Sequence, residues 1–168
     1  MNWGGAVTCA ELCQGSVLEE TGKHMAEIRD CREEDFDQIV PLLQQLWPAK
    51  TLNHDRLRAV YERGLRSDTQ QYICAVEGGR VAGFCSLTIK NNLWQEGFLA
   101  HVDELVVNHA DRGRGIGRQL LEAIIEIAVQ RSCRRVELDS AFHRTEAHVF
   151  YERQGFENRA YLFSKHLN

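Results

Sequence analysis

A chain of 168 residues that is 43% hydrophobic suits one compact domain with its own core and leaves little room for a second. Its formal net charge of −4 excludes a protein built chiefly to grip a nucleic-acid backbone, because that task needs a clustered basic surface. No apolar run approaches the roughly 20 residues that cross a bilayer, and six cysteines without CxxC spacing point to a reduced, cytoplasmic setting.

In chain order, residues 1–24 carry no sustained periodicity and read as a flexible extension, with a short helix over Cys9–Cys13 as the alternative. They lack the basic-then-apolar order of a secretory signal. The folded domain is expected over residues 25–168. It opens with a strand after Met25, then a helix from Glu33 to Trp47 whose apolar stripe is Phe36, Ile39, Val40, Leu42, Leu43, Leu46 and Trp47, with acids in its first turn and Pro48 as its stop. A second, short helix is expected over Leu57–Leu65. QQYICAVEGGRVAGFCSLTIK reads as two strands joined at Gly78-Gly79, where glycine supplies the positive φ of a tight hairpin. FLAHVDELVV is a fourth strand. Ile116, Leu120, Leu121, Ile124, Ile125, Ile127 and Ala128 then form one wide helix face, RRVELDS a fifth strand, Glu146–Arg153 a short helix and FENRAYLFSKHL a closing strand or strand pair. The order predicts an α/β domain with a mixed sheet whose first half is antiparallel.

The stretch Asp111-Arg-Gly-Arg-Gly-Ile-Gly-Arg118 lies between a strand and a helix. Three glycines at a helix entrance need a backbone reason, and free N–H groups at a positive helix end make an anion the natural one. Dinucleotide binding would require glycine at 118, where Arg118 stands, and the GxxxxGK[ST] pattern is absent. What remains, Arg112-Gly113-Arg114-Gly115-Ile116-Gly117, resembles the pyrophosphate-binding loop of the GNAT superfamily, the acyl-CoA-dependent N-acetyltransferases. Ala147-His148-Val149-Phe150-Tyr151-Glu152-Arg153-Gln154-Gly155-Phe156 resembles the AxxFYxxxGF segment on that family's last helix. The two motifs stand in the family's order, and the likeness covers residues 26–167. The ending RTEAHVFYERQGFENRAYLFSKHL, with HVDELVV, is most similar to the aminoalkylphosphonate N-acetyltransferase subgroup and related small-amine acetylases.

The resemblance implies a GNAT-like mixed, mostly antiparallel central sheet of six to seven strands flanked by about four helices. It implies acetyl-CoA as co-substrate, its pyrophosphate on the N–H groups of residues 112–117 beside Arg118, and its pantetheine arm pairing against Leu105, Val106 and Val107. Val106 N–H matches the family's donor to the thioester oxygen. Ser140, Arg144, Ala147 and Phe150 complete the implied coenzyme site. Arg144 occupies a place where many members carry asparagine, which puts that amide contact in doubt and offers a guanidinium to a phosphate instead.

Tyr151 matches the tyrosine near the sulfur in the family and is the candidate general acid. For the base, period 2 places His101 and Asp103 on one face of the fourth strand and Glu104 on the other. His101 and Asp103 fall where family members carry a catalytic glutamate, and Glu104 is the fallback. Histidines at 101, 109, 143 and 148 have no ligand spacing, so no metal is expected. The implied partner is a small-molecule amine rather than nucleic acid or membrane, with homodimers common among relatives. If the subgroup likeness extends to substrate, Arg144 or Arg159 suits an acidic group on it. Polyamine acetylation is the rival within the class, for which Asp103, Glu104 and Glu96 would line the pocket. Acetylation of a protein or peptide amine stays open too, as does an acyl-CoA-binding sensing module without turnover.

Overall fold

A computed structural model describes residues 26–167; the extension expected over 1–24 lies outside the described residues. β1 (Glu27–Asp30) passes through a short 3-10 turn (Glu33–Asp35) into α1 (Phe36–Leu46). Then follow α2 (His54–Leu65), β2 (Gln70–Glu77), β3 (Arg80–Asn92), β4 (Gly97–Val107), α3 (Ile116–Gln130), β5 (Cys133–Leu138) and α4 (Thr145–Arg153). α2 starts three residues before the expected Leu57 because Asn53 caps it, its Oδ1 accepting from Arg56 N at 2.9 Å. Gly78 and Gly79, at φ 55° and 79°, turn the β2–β3 hairpin as their residue type predicts.

The sheet has the order β1-β2-β3-β4-β5. The first three pairings are antiparallel and the last is parallel, with α3 as the crossover that a parallel pair needs. On one face Ile116, Leu120 and Ile124 of α3 pack on Leu87, Ala100 and Val102. On the other, Phe36, Ile39 and Leu42 of α1 pack on Cys74, Phe84 and Val106. The alternation of side chains from β3 to both faces thus ties two half-cores through one sheet.

Two features correct the sequence reading. The mixed, mostly antiparallel sheet and four α-helices are present, but among the described residues the sheet has five strands, not six to seven. Residues 156–167 form no strand, and Tyr161 and Phe163 are 76% and 90% exposed. Their β-forming side chains gain nothing without a neighbouring ladder to complete, because strand preference is mostly packing on a pleated surface. The second correction concerns β4. Ser86 pairs with Glu104 but Leu87 pairs with Val102, so Asp103 is an extra residue in a bulge. The face reverses there: Ala100 and Val102 look toward α3 before it, as do Leu105 and Val107 after it, and Val106 faces α1. Strict alternation fails, and Glu104 joins the face of His101 and Asp103 instead of opposing it.

β4 and β5 are paired from Phe98–Cys133 to Val102–Leu138, and then part; β4 runs on through Val107 paired with β3 alone. No helix among the described residues is long and apolar enough to cross a membrane.

Candidate active site

The parting strands open one large cleft, lined by β4 from His101 to Val107, the loop before α3, and the region from Val136 through α4. Every candidate catalytic or coenzyme-binding residue from the sequence lines it except Arg114. That guanidinium is turned away, to Glu77 at 2.7 and 2.9 Å and Asp111 at 3.1 Å. Asp111 is buried and also accepts twice from Arg80, at 2.9 and 3.0 Å. The Arg80–Asp111–Arg114–Glu77 network pins the loop to the β2–β3 hairpin, a task local pattern does not reveal. Arg118 pairs with Glu122 at 2.7 Å, and Arg112 Nε donates to Val107 O at 3.4 Å.

Gly113 and Gly115 sit at φ 76° and 88°, conformations that side chains resist. Gly115 is the N-cap of α3, so no side chain caps the helix, and its first turn holds no acidic residue. The free N–H groups and positive dipole end are therefore unspent at the cleft wall. Gly117, in the first turn of α3, faces Val107 and Phe150: a Cβ there would be 3.5 and 3.7 Å from their carbons, at ordinary contact distance.

Across the cleft floor, His101 Nδ1 is 3.1 Å from Asp103 Oδ1, and Thr88 Oγ1 donates to Asp103 Oδ2 at 2.5 Å. His101 Nε2 is 3.4 Å from Asp139 Oδ2. The hydrogen bond to Asp103 raises the imidazole pKa above its ordinary value against the opposing effect of burial. Burial pushes Asp103 up, but the bonds from His101 and Thr88 together bring it below the usual carboxylate range. Glu104 is different. Burial raises its pKa, aided by the charge of Asp103, although Ser86 Oγ donates to its carboxylate. Glu104 N in turn donates to Ser86 Oγ at 3.0 Å. One face therefore carries an ionised carboxylate, an imidazole of raised basicity and a desolvated carboxyl.

On the opposite wall, Tyr151 of α4 is held by Phe150 and Phe156, with ring centroids 5.2 and 5.9 Å away. Burial pushes its pKa up to about 12, so the phenol stays protonated at neutral pH. Arg144 donates to Leu46 O at 2.7 Å, tying the entrance of α4 to the end of α1. Ser140 Oγ, at the cleft, is buried without a hydrogen-bond partner among the described residues, which leaves a donor for something that enters it.

Ser86, Thr88 and Asp139 escaped the sequence reading. Ser86 and Thr88 are two apart on β3, and only the pairing register with β4 connects them to the site. Away from the cleft, Cys31, Asp35 and Cys74 bring candidate metal-ligand atoms within 4.8 Å of one another. Asp35 is occupied, accepting from Arg29 at 2.7 and 2.8 Å and from Arg32 N at 2.7 Å.

The family model described as "Acetyltransferase (GNAT) family" matches residues 28–156. The aminoalkylphosphonate N-acetyltransferase of Salmonella typhimurium is 31% identical over 143 residues, covering 85% of this chain and 92% of that protein. A glucosamine 6-phosphate N-acetyltransferase of Trypanosoma brucei brucei is 30% identical, covering 77% and 88%. Among solved structures, an aminoglycoside N-acetyltransferase in complex with CoA superposes with a TM-score of 0.74 at 23% identity, covering 84% of this chain and 95% of that one.

Proposed function

The chain belongs to the GNAT family of acetyltransferases, and from that premise we propose that it acetylates the primary amine of a small molecule by direct attack within a ternary complex. It is an N-acetyltransferase, and acetyl-CoA is its co-substrate. The observation that carries the finer reading is the convergence of His101 and Tyr151 on one cleft, beside the uncapped N-terminus of α3.

The N–H groups of residues 112–117 hold the pyrophosphate, where two left-handed glycines bring the backbone close. From Leu105 to Val107, β4 is paired with β3 but no longer with β5, and that free edge is offered to the extended pantetheine arm. Asn108 N donates to Ala82 O at 2.8 Å, so the alternation of the β3–β4 ladder turns Val106 N–H toward Phe84, against the expectation from the resemblance. It is the outward Leu105 N–H that supports the negative charge developing on the carbonyl oxygen in the tetrahedral intermediate. An amine arrives protonated and must lose a proton before it attacks. His101 takes that proton, directly or through water, and Asp103 holds the ring and favours the imidazolium that results. The amine nitrogen bonds to the acetyl carbon, the carbon–sulfur bond breaks, and Tyr151 donates a hydrogen bond or proton to the departing thiolate. Glu104 keeps a second reading open within the same mechanism, because a carboxyl whose pKa is raised by burial is also suited to accept a proton.

The acceptors named for the relatives, an aminoalkylphosphonate and glucosamine 6-phosphate, support a small-molecule amine over a protein one. The test follows loss of thioester absorbance from acetyl-CoA against aminophosphonates, aminosugars, polyamines and a lysine peptide. Turnover of a small amine without turnover of the peptide is expected. Turnover confined to the peptide would overturn the reading.

A further inference from the structure

At the far end of the same cleft, two arginines converge on one tryptophan. Trp94, in the turn between β3 and β4, is 71% exposed. The Arg135 guanidinium lies 5.6 Å from its ring centroid and that of Arg159 5.3 Å. Arg135 belongs to β5, and Arg159 to the segment after α4 that forms no strand. All three line the cleft. Arg135 Nε is buried and has no hydrogen-bond partner among the described residues. Asp139, further along the same chain segment, is turned to His101. Neither guanidinium has an ion-pair partner among the described residues, although Arg114 and Arg118 both do.

Two like charges gathered at one ring repel, and an exposed cation–π contact offsets little of that repulsion. A buried donor without a partner adds a further cost. A doubly charged oxyanion resolves all three features at once. It balances two guanidiniums, accepts from their planar forks and satisfies Arg135 Nε.

Position makes this an acceptor subsite. Leu99 pairs with Arg135 and His101 with Glu137, so Arg135 is two residues before the partner of the proposed base and on its face. At a strand rise of roughly 3.3 Å per residue, the anion sits on the order of 7 Å along the sheet from the reacting nitrogen. We propose that Arg135, Arg159 and Trp94 form a binding site for a phosphate or phosphonate group carried by the acceptor, several bonds from its amine. The proposal rests on the acetyl-transfer reading and names the charge of its substrate. Arg144, engaged with Leu46 O, is not part of it.

The test is calorimetric titration of the full chain saturated with CoA, which reads binding without turnover. Glucosamine is compared with glucosamine 6-phosphate, and ethanolamine with 2-aminoethylphosphonate. The phosphorus-bearing member of at least one pair should bind about tenfold more tightly or better, the factor carried by one hydrogen bond to a charged group. Arg159→Gln, on an exposed segment where folding is not at stake, and Arg135→Gln should each collapse that ratio, with Arg159→Lys keeping part of it. Equal affinities within both pairs, or a preference that survives both glutamine substitutions, would overturn the proposal. So would tight binding of inorganic phosphate with no advantage for either phosphorus-bearing amine. Thioester loss in the same samples reports separately on acetyl transfer: a binding preference without turnover would count against catalysis and leave the subsite standing.

Discussion

His101 Nδ1 and Asp103 Oδ1 lie 3.1 Å apart where β4 bulges, and Thr88 fixes the other carboxylate oxygen. Because the extra residue is Asp103 itself, its carboxylate stays on the histidine's face. The bond raises the imidazole pKa from its ordinary 6.5. A base must be neutral to accept a proton, so kcat/KM should climb with pH through an acid limb lying above 6.5. Asp103→Asn removes the main cause of the raised value and should move that limb to lower pH while lowering the plateau. A pH–rate profile of both proteins, with acetyl-CoA saturating, decides it. A limb that stays in place in Asp103→Asn but vanishes in Glu104→Gln would assign the base to Glu104.

Tyr151 leads to a different expectation. With its pKa pushed up to about 12, the phenol enters the reaction protonated, and Phe in its place keeps the contacts with Phe150 and Phe156. Tyr151→Phe should lower kcat by about 10²-fold or more, the lower end for positioned acid catalysis, with little change in KM. Steady-state thioester loss measures it. A variant whose kcat matches wild type would reduce Tyr151 to a packing residue.

Gly113 and Gly115 test the loop. A Cβ on Gly115 would meet only Gln119 Nε2, at 3.9 Å, but the residue's φ is 88°. Gly115→Ala therefore strains the backbone without a clash, at about 1–2 kcal/mol. If residues 112–117 hold the pyrophosphate, relaxation of that strain moves the N–H groups, and CoA affinity by calorimetry should fall about tenfold. Thermal unfolding should show only the modest loss that the strain implies. Unaltered CoA affinity would place the pyrophosphate elsewhere.

What the sequence made legible was local. Gly78-Gly79 announced a hairpin because two positive φ values are a demand on residue type, and the α1 and α3 stripes marked buried faces through a 3.6-residue period. The bulge at Asp103 was not legible. It depends on which residues of β3 face β4, 15 to 18 positions away, and it reversed the assignment of Glu104. The closing strands were misjudged for the opposite reason: Tyr161, Leu162 and Phe163 have strand-forming side chains, but no partner ladder receives them. Two of the three residues missed on chemistry, Ser86 and Thr88, are small hydroxyls behind the cleft residues, and their role arises only from what they touch. The meeting of Arg135, Arg159 and Trp94 likewise joins three segments distant in sequence.

Asp35 supplies a prediction about stability alone. It is buried, its two oxygens accept from Arg29 and one also from Arg32 N, and it is not among the residues lining the cleft. The Arg29 hydrogen bonds lower its pKa from 3.8 despite the opposing effect of burial. A carboxylate whose pKa is depressed on folding contributes stability that is fully present above the unfolded value and is lost as pH falls through the folded one. Asp35→Asn leaves the Arg29 charge facing a neutral amide, and a part-exposed arginine, 21% accessible, softens the penalty below that of a wholly buried pair. The expected loss is about 2 kcal/mol at pH 7, shrinking as pH drops below the ordinary carboxylate range, where the wild-type group is itself being protonated. Urea unfolding at pH 7, 5 and 3 measures both parts. A difference that stayed constant across that range would mean that Asp35 acts by shape and not by charge. Acetyl transfer per folded molecule should be unaltered throughout, because the carboxylate's contacts end at β1 and the turn before α1.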